Sequence, residues 1–362
     1  MKAIVLAGGY ATRLRPISYS IPKLLFPVAG KPMIYWTLDL LRKFQVEEVV
    51  LAVNYLAEHL RSVIGDEYRG MRIKYSLESS PLGTAGPIKL ASKITRLTKT
   101  FIAMNGDIVT SIDFNEMLER HRSSKAAITD ALREVQNPSR FGVVELDGAS
   151  RIIRFVEKPL KREAPSRFVN AGIYLIEPSV LSRIRSERKI SLEREIFPIL
   201  ARHRRLGGFK LSDYWFDIGN FSDYRRANFA LIEKARSEIR FRSRIAKDST
   251  LSPPILMGTH AVISFEAKLG PNVVLGKNVF VGRKVRISNS IIFDDVKVGD
   301  RSTVTGAIVA SHADIGKGVR IERGAIISPN VSISDGVKIG IGAVIHPYKE
   351  IHQQISDWTH VM

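Results

Sequence analysis

From Met257 onward an aliphatic or aromatic residue returns every six positions: Met257, Ile263, Leu269, Leu275, Val281, Ile287 and Phe293. A five-residue step leads to Val298, a six-residue step to Val304, and a second five-residue step to Val309. The series then runs through Ile315, Ile321, Ile327, Ile333, Ile339 and Ile345. A β-sandwich of period-2 strands has no reason to keep a six-residue step over sixteen positions. A triangular coil does, because each hexad forms one face and turns one aliphatic side chain inward. Glycine follows the ladder residue at Gly270, Gly276, Gly282, Gly299, Gly316 and Gly340, where the coil needs corners. The spacing predicts a left-handed parallel β-helix, with irregular corners at the two short steps.

The chain before this ladder reads differently. Strands are predicted over 2–7, 48–53, 72–77 and 100–104, and helices over 32–44, 57–64, 86–94 and 115–122. Strand–helix alternation of this kind points to an α/β sheet with parallel strands. In the helix at 32–44, Ile34, Leu38, Leu41 and Phe44 fall near one face. Residues 221–245 read as a basic helical connector, with Arg225, Arg226, Lys234, Arg236, Arg240, Arg242 and Arg244 outnumbering Asp223, Glu233 and Glu238. The predicted division is a catalytic domain over 1–235, a basic connector over 236–247, a β-helix over 248–350 and a C-terminal tail over 351–362.

With 362 residues, 44% of them hydrophobic and 25% charged, the chain can bury the cores of two domains. It contains no cysteine, which excludes disulfides, a thiol nucleophile and Cys-ligated zinc. A metal site must then use carboxylates, imidazoles or carbonyls, and hard oxygen ligands suit Mg²⁺. The formal net charge of +19 suits an anionic partner. Its arginines are scattered without interleaved aromatics or a nucleic-acid-binding motif, so no nucleic acid is expected. No apolar run is long enough for a membrane span, and the start is no secretory signal, so no membrane and a cytoplasmic location are expected.

The densest run of chemistry is Leu6-Ala7-Gly8-Gly9-Tyr10-Ala11-Thr12-Arg13-Leu14-Arg15-Pro16, followed by Pro22-Lys23-Leu24-Leu25-Phe26-Pro27. A glycine-rich loop leaving a buried strand brings backbone N–H groups against phosphate. Arg13 offers a planar fork for a polyphosphate, and Lys23 a second cation ten residues on. Neither the Walker pattern nor the dinucleotide Gly-x-Gly-x-x-Gly is present.

This signature resembles that of the sugar-1-phosphate nucleotidylyltransferases, and among them the mannose-1-phosphate guanylyltransferases. It departs in two places, with Ala11 where the family has glycine and Leu24 where it has proline. The resemblance spans nearly the whole chain. It implies an α/β Rossmann-like nucleotidyltransferase domain followed by a left-handed parallel β-helix. It also implies that Leu6, Ala7, Gly8, Gly9, Thr12 and Asn105 meet the nucleotide. Glu78-Ser79-Ser80-Pro81-Leu82-Gly83-Thr84 looks like the nucleobase loop, with Gly83 and Thr84 at the base and Thr84 capping the next helix. Asn105-Gly106-Asp107 and Trp215-Phe216-Asp217 look like the two metal motifs, which assigns Mg²⁺ to Asp107 and Asp217. Gly142, Glu157 and Asn170 stand in motifs similar to the sugar side, and Lys158 suits the sugar phosphate.

What the resemblance implies is transfer of a nucleotidyl group from an NTP to a sugar 1-phosphate, with Arg13, Lys23 and Lys158 in catalytic roles. GTP and mannose 1-phosphate are the favoured substrates; UTP or dTTP with glucose 1-phosphate stays open. A non-catalytic regulatory subunit is the rival from another class, and the retained Arg13, Lys23, Asp107, Lys158 and Asp217 speak against it. His312 would be the candidate base were the β-helix an acetyltransferase; an exposed corner histidine is the simpler reading. The β-helix is expected to build a homo-oligomer, and a chain ending near Lys247 is expected to keep its activity.

Overall fold

The computed structural model describes residues 1–54, 57–186, 188–235, 239–240 and 243–362, with the side chains of 239–240 left aside. It divides into two compact units: Met1–Tyr10 with Met33–Asp217, and Ala11–Pro32 with Ile218–Met362.

The first unit is built on a mixed sheet. Lys2–Leu6 lies at its centre, parallel to Glu48–Val53 on one side and Phe101–Asn105 on the other, and Met71–Leu77 extends the parallel half. Continuous apolar runs suit this position, because strands flanked on both faces have no polar side. The other half is antiparallel around Phe168–Ile176, which pairs with Phe101–Asn105, with Ile128–Glu134 and with Gly142–Leu146. The parallel strands expected from strand–helix alternation thus form one half of a mixed sheet. The helices 33–43, 57–64, 85–91 and 114–124 stand where the apolar spacing put them. Met33, Ile34, Leu38 and Leu41 are fully buried, and Phe44 packs edge-on to Phe114 at 5.4 Å. Asp113 caps the helix Phe114–Ser124 by accepting from the N–H groups of Asn115 and Glu116.

The second unit contains the coil. Among the described residues three sheets of eight, seven and six short parallel strands form its faces, which gives the β-helix the hexads predict. All sixteen ladder residues are buried, but one of them points the wrong way. Leu275 registers with Ile292, Ile292 with Val309 and Val309 with Ile327, so Ile292 and not Phe293 fills the interior. The first short step runs from Ile287 to Ile292, and Phe293 faces outward. With Ile292 and Phe293 adjacent and both apolar, spacing alone cannot choose between them.

The coil is also longer than 248–350. Arg244–Ile245 already pairs with Val262–Ile263, and His360–Val361 pairs with Val344–Ile345, so the predicted tail belongs to it. The helical connector ends early: the helix is Phe221–Lys234, Ile239–Arg240 pairs with the coil, and the predicted connector positions 236–238 and 241–242 lie outside the described residues. The coil's faces differ sharply. One outward row, Leu256, Val274, Ile291, Ile308 and Ile326, is apolar and buried. Another, Lys268, Arg286, Thr303, Arg320 and Lys338, is basic, with its four cations exposed. His312 sits at a left-handed corner, exposed, with Nδ1 3.9 Å from an Asp295 carboxylate oxygen.

Candidate active site

The register of the parallel strands brings Leu6 level with Ala52 and Asn105, so the loop Ala7–Gly9 and the turn at Asp107 leave the sheet at the same edge. The Gly106 N–H donates to the Leu6 carbonyl at 2.9 Å and that of Ala7 to Ala52 at 2.8 Å. A Cβ on Gly8 would come within 2.7 Å of Glu78 Oε1, so a side chain there would have to displace that carboxylate. Its carbonyl accepts from the Asn54 amide.

Glu78 is a residue that motif reading passed over. It is 8% exposed and accepts from the Leu82 N–H at 3.2 Å. Burial raises its pKa, against the lowering effect of that one hydrogen bond. The following loop is fixed by the chain near Ile190. Gly83 has φ +79°, and a Cβ on it would lie 2.4 Å from the Ile190 carbonyl. Thr84 does not cap its helix as expected. Its hydroxyl instead donates to Glu193 at 2.5 Å and accepts from the Leu192 N–H at 2.8 Å.

Asp107 and Asp217 stand on one antiparallel pair. Ile108–Thr110 pairs with Trp215–Asp217, and the residue opposite Asp217 is Ile108, the neighbour of Asp107. The pair is tied down by the Trp215 indole donating to the Ala171 carbonyl at 2.9 Å. Both carboxylates are half-buried. Among the described residues no cluster of three or more Asp, Glu or His side chains could hold a metal alone. Two strand-held carboxylates instead fit a hard cation that takes its remaining oxygens from phosphates and water.

The residues expected on the sugar side form a second group. Glu157 pairs with Gly142, where a Cβ would lie 2.9 Å from Glu157 Oε2 and closer still to Phe155. Lys158 turns out of the strand at φ 49° and places Nζ 3.3 Å from Glu157 Oε1. Asn170 is held at both ends, donating to the Tyr174 hydroxyl at 2.9 Å and accepting from the Gly172 N–H at 2.6 Å. Gly172, at φ +70°, leaves room for Asn105, whose amide nitrogen lies 2.4 Å from its Cβ position. Near this group Asp130 is fully buried, with no hydrogen-bond partner for either oxygen among the described residues. Desolvation, then the nearby Glu193 charge, raise its pKa well above the carboxylate range.

Thr12, Arg13 and Lys23 belong to the second unit. Thr12–Leu14 is a 3-10 turn pinned by fully buried Leu14, with Arg13 exposed. Ala11 sits before it at φ 48°, ψ 38°, the left-handed region that the family's glycine reaches without cost. A Cβ on Gly219, two residues after Asp217 in the chain, would lie 3.1 Å from Arg13 Nη2. Lys23 opens a second 3-10 turn, Lys23–Leu25, closed by the Phe26 N–H donating back to the Lys23 carbonyl at 3.0 Å. Leu24, in place of the family's proline, is 5% exposed and packs inward.

A strand-held carboxylate pair and a glycine loop thus leave the sheet at one edge. The family described as Nucleotidyl transferase matches residues 2–234, and the GMPPB C-terminal domain matches 251–361. This chain belongs to the nucleotidyl transferase family. Among its relatives is a mannose-1-phosphate guanyltransferase of Aspergillus fumigatus, 36% identical over 333 residues. Another is mannose-1-phosphate guanylyltransferase 1 of Arabidopsis thaliana, 34% identical over 327 residues. In both cases 89% of each chain is covered. A solved Bacillus anthracis structure, named for glucose-1-phosphate thymidylyltransferase and complexed with sucrose, matches with a TM-score of 0.59 and 28% identity. It covers 64% of this chain and 94% of its own. As a nucleotidyl transferase the chain is an enzyme that joins an NTP to a sugar 1-phosphate to give an NDP-sugar. No helix among the described residues is long and apolar enough to cross a membrane.

Proposed function

We propose that this nucleotidyl transferase makes GDP-mannose and pyrophosphate from GTP and mannose 1-phosphate. Its relatives' names support the substrates. The single structural observation that carries the choice of base is Glu78, a buried carboxylate against Gly8 and beside the loop Leu82–Gly83. A carboxylate accepts two parallel N–H bonds, and guanine is the nucleobase that offers two adjacent donors on its pairing edge.

In the proposed reaction an oxygen of the sugar phosphate attacks the α-phosphorus in line. A new P–O bond forms, the bond to the β-phosphate oxygen breaks, and pyrophosphate leaves with its electron pair. No general base is required, because the attacking oxygen is already anionic at neutral pH. Asp107 and Asp217 would hold Mg²⁺, which supplies charge neutralisation between the two polyanions. Arg13 and Lys23 stabilise the departing pyrophosphate, and Lys158 holds the attacking phosphate. Backbone groups of Leu6–Gly9, with Thr12, Gly83, Thr84 and Asn105, orient the nucleotide; Gly142, Glu157 and Asn170 shape the sugar side. The same reading places the enzyme in the cytoplasm as a homo-oligomer joined through its β-helix.

The test is a matrix of NTPs against sugar 1-phosphates with pyrophosphate release measured in Mg²⁺. GTP with mannose 1-phosphate is expected to give the highest kcat/KM, and Glu78→Gln to narrow the preference for GTP. A preference for dTTP or UTP with glucose 1-phosphate would overturn the specificity and leave the reaction class standing.

A further inference from the structure

The two five-residue steps of the coil occur at one corner of successive turns: the Gly306 N–H donates to the Ser288 carbonyl at 2.9 Å. Each irregularity is used. The first turns the Phe293 ring out of the coil, where it meets Phe26 at 6.0 Å and Tyr224 at 6.3 Å. Phe26 and Tyr224 are themselves edge-on at 5.9 Å. At the second, the Gly306 carbonyl accepts both from the Gly324 N–H at 2.8 Å and from the half-buried Arg225 guanidinium at 2.6 Å. Helix Phe221–Lys234 and the signature segment are thus both fastened to one face of the coil, at Gly306 where its strands begin and at Phe293 where they end.

The fastening reaches Lys23 within three residues. Phe26, fully buried in the aromatic triad, closes the turn that Lys23 opens. Tyr224 donates its hydroxyl to the Pro27 carbonyl, and Asn228 accepts from the Ala29 N–H at 2.8 Å. Gly30, at φ +81°, lies so near Leu256 that a Cβ would come within 2.9 Å of it. Pro27 and Gly30 close a cavity of about 90 Å³ against Val274, Leu275 and Ile292. Phe293 has a rigid footing of its own, since its N–H continues the coil's ladder to Val309 at 2.8 Å.

We propose that Phe293 is a positioning residue for Lys23. The β-helix then does more than join subunits, because it holds the turn that presents a cation to the departing pyrophosphate. This inference rests on the transfer reaction proposed above. The turn has only 3-10 geometry and a pair of two-residue strands of its own, so its precision must come from what it packs against.

A double-mutant cycle tests it in the full-length protein. Phe293→Ala is expected to lower kcat about tenfold or more, and Phe293→Leu to recover most of that loss. In a Lys23→Ala background Phe293→Ala is expected to cost less than twofold further. Equal losses in both backgrounds, or no loss in the first, would overturn the proposal. Amide hydrogen exchange reads the same idea without turnover. Leu25, Phe26 and Ala29 are expected to exchange faster in Phe293→Ala, or in Phe293→Leu should the alanine variant not fold, while Gly299 and Gly316 keep their protection. Unchanged exchange at Phe26 would also sink it. A wild-type protein that makes no nucleotide sugar defeats the proposed function, and the exchange comparison still decides the positioning role.

Discussion

Asp107 and Asp217 flank a regular strand pair whose register is set by backbone hydrogen bonds. Arg13 and Lys23 stand on 3-10 turns in a segment whose longest strands have two residues. The carboxylates are positioned by a two-stranded sheet within their own unit. On the proposal above, Lys23 is positioned by side-chain packing of its turn on a coil more than two hundred residues further along the chain. Two anchoring styles therefore serve one proposed reaction, and they should fail differently. A sheet position tolerates loss of the coil, whereas a packed turn does not.

The most severe way to break this contrast is to remove the coil. A chain ending after Lys247 keeps every residue assigned to chemistry but loses Leu256, Phe293 and Gly306, on which the signature segment and helix Phe221–Lys234 rest. The expected result is poor solubility and no measurable pyrophosphate release, because apolar surface on Phe26 and Tyr224 is exposed. Wild-type rates from a soluble truncated chain would collapse the contrast and restore the simpler expectation drawn from the sequence. Next in size is Asp217→Asn, expected to lower Mg²⁺-dependent turnover on the order of 10²-fold or more with the thermal midpoint nearly unchanged. Near-normal turnover in that variant would take Asp217 out of the proposed mechanism.

The smallest effect sharpens the contrast by touching the sheet alone. Glu48 is 2% exposed, yet its carboxylate has three cations around it: Lys74 at 3.0 Å, Lys2 at 3.3 Å and Arg72 at 3.4 Å. Burial works to raise its pKa, but hydrogen bonds from Thr95, Lys74 and Lys2 outweigh it and bring the pKa down to about 2. A pKa lowered by folding means the charged form stabilises the native state. That stabilisation is full above the unfolded value near 4.5 and is lost as pH falls toward about 2. Glu48→Gln is expected to cost about 3 kcal/mol at neutral pH by this linkage, with the difference from wild type closing as pH drops through that window. A pH-independent difference in denaturation midpoints would show that packing, not charge, is what Glu48 contributes.

Much of the molecule was legible from local pattern. The hexad ladder specified the coil because an inward aliphatic every six residues is a nearest-neighbour requirement, repeated turn after turn. The early strands and helices followed from periodicity and the glycine loop from residue type, whereas the carboxylate motifs were legible only through the resemblance to a family. Glu78 was quoted within its loop without a role, since nothing in a lone glutamate says that its carboxylate will meet a glycine seventy residues earlier in the chain. Asp130 carried no signal at all: Ile128-Thr129-Asp130-Ala131 reads as an ordinary strand, and only the fold shows both its oxygens enclosed.

The sequence by itself determined the two architectures, the order in which they occur and the residues available for chemistry. The tertiary structure alone decided that Ile292 turns inward and Phe293 outward, because two adjacent apolar residues at a short step satisfy the same local pattern. It alone decided that residues 11–32 pack with the coil instead of with the strand they follow. That choice depends on aromatic contacts between positions as distant as Phe26 and Phe293, whose energy appears only when the chain has closed the loop between them.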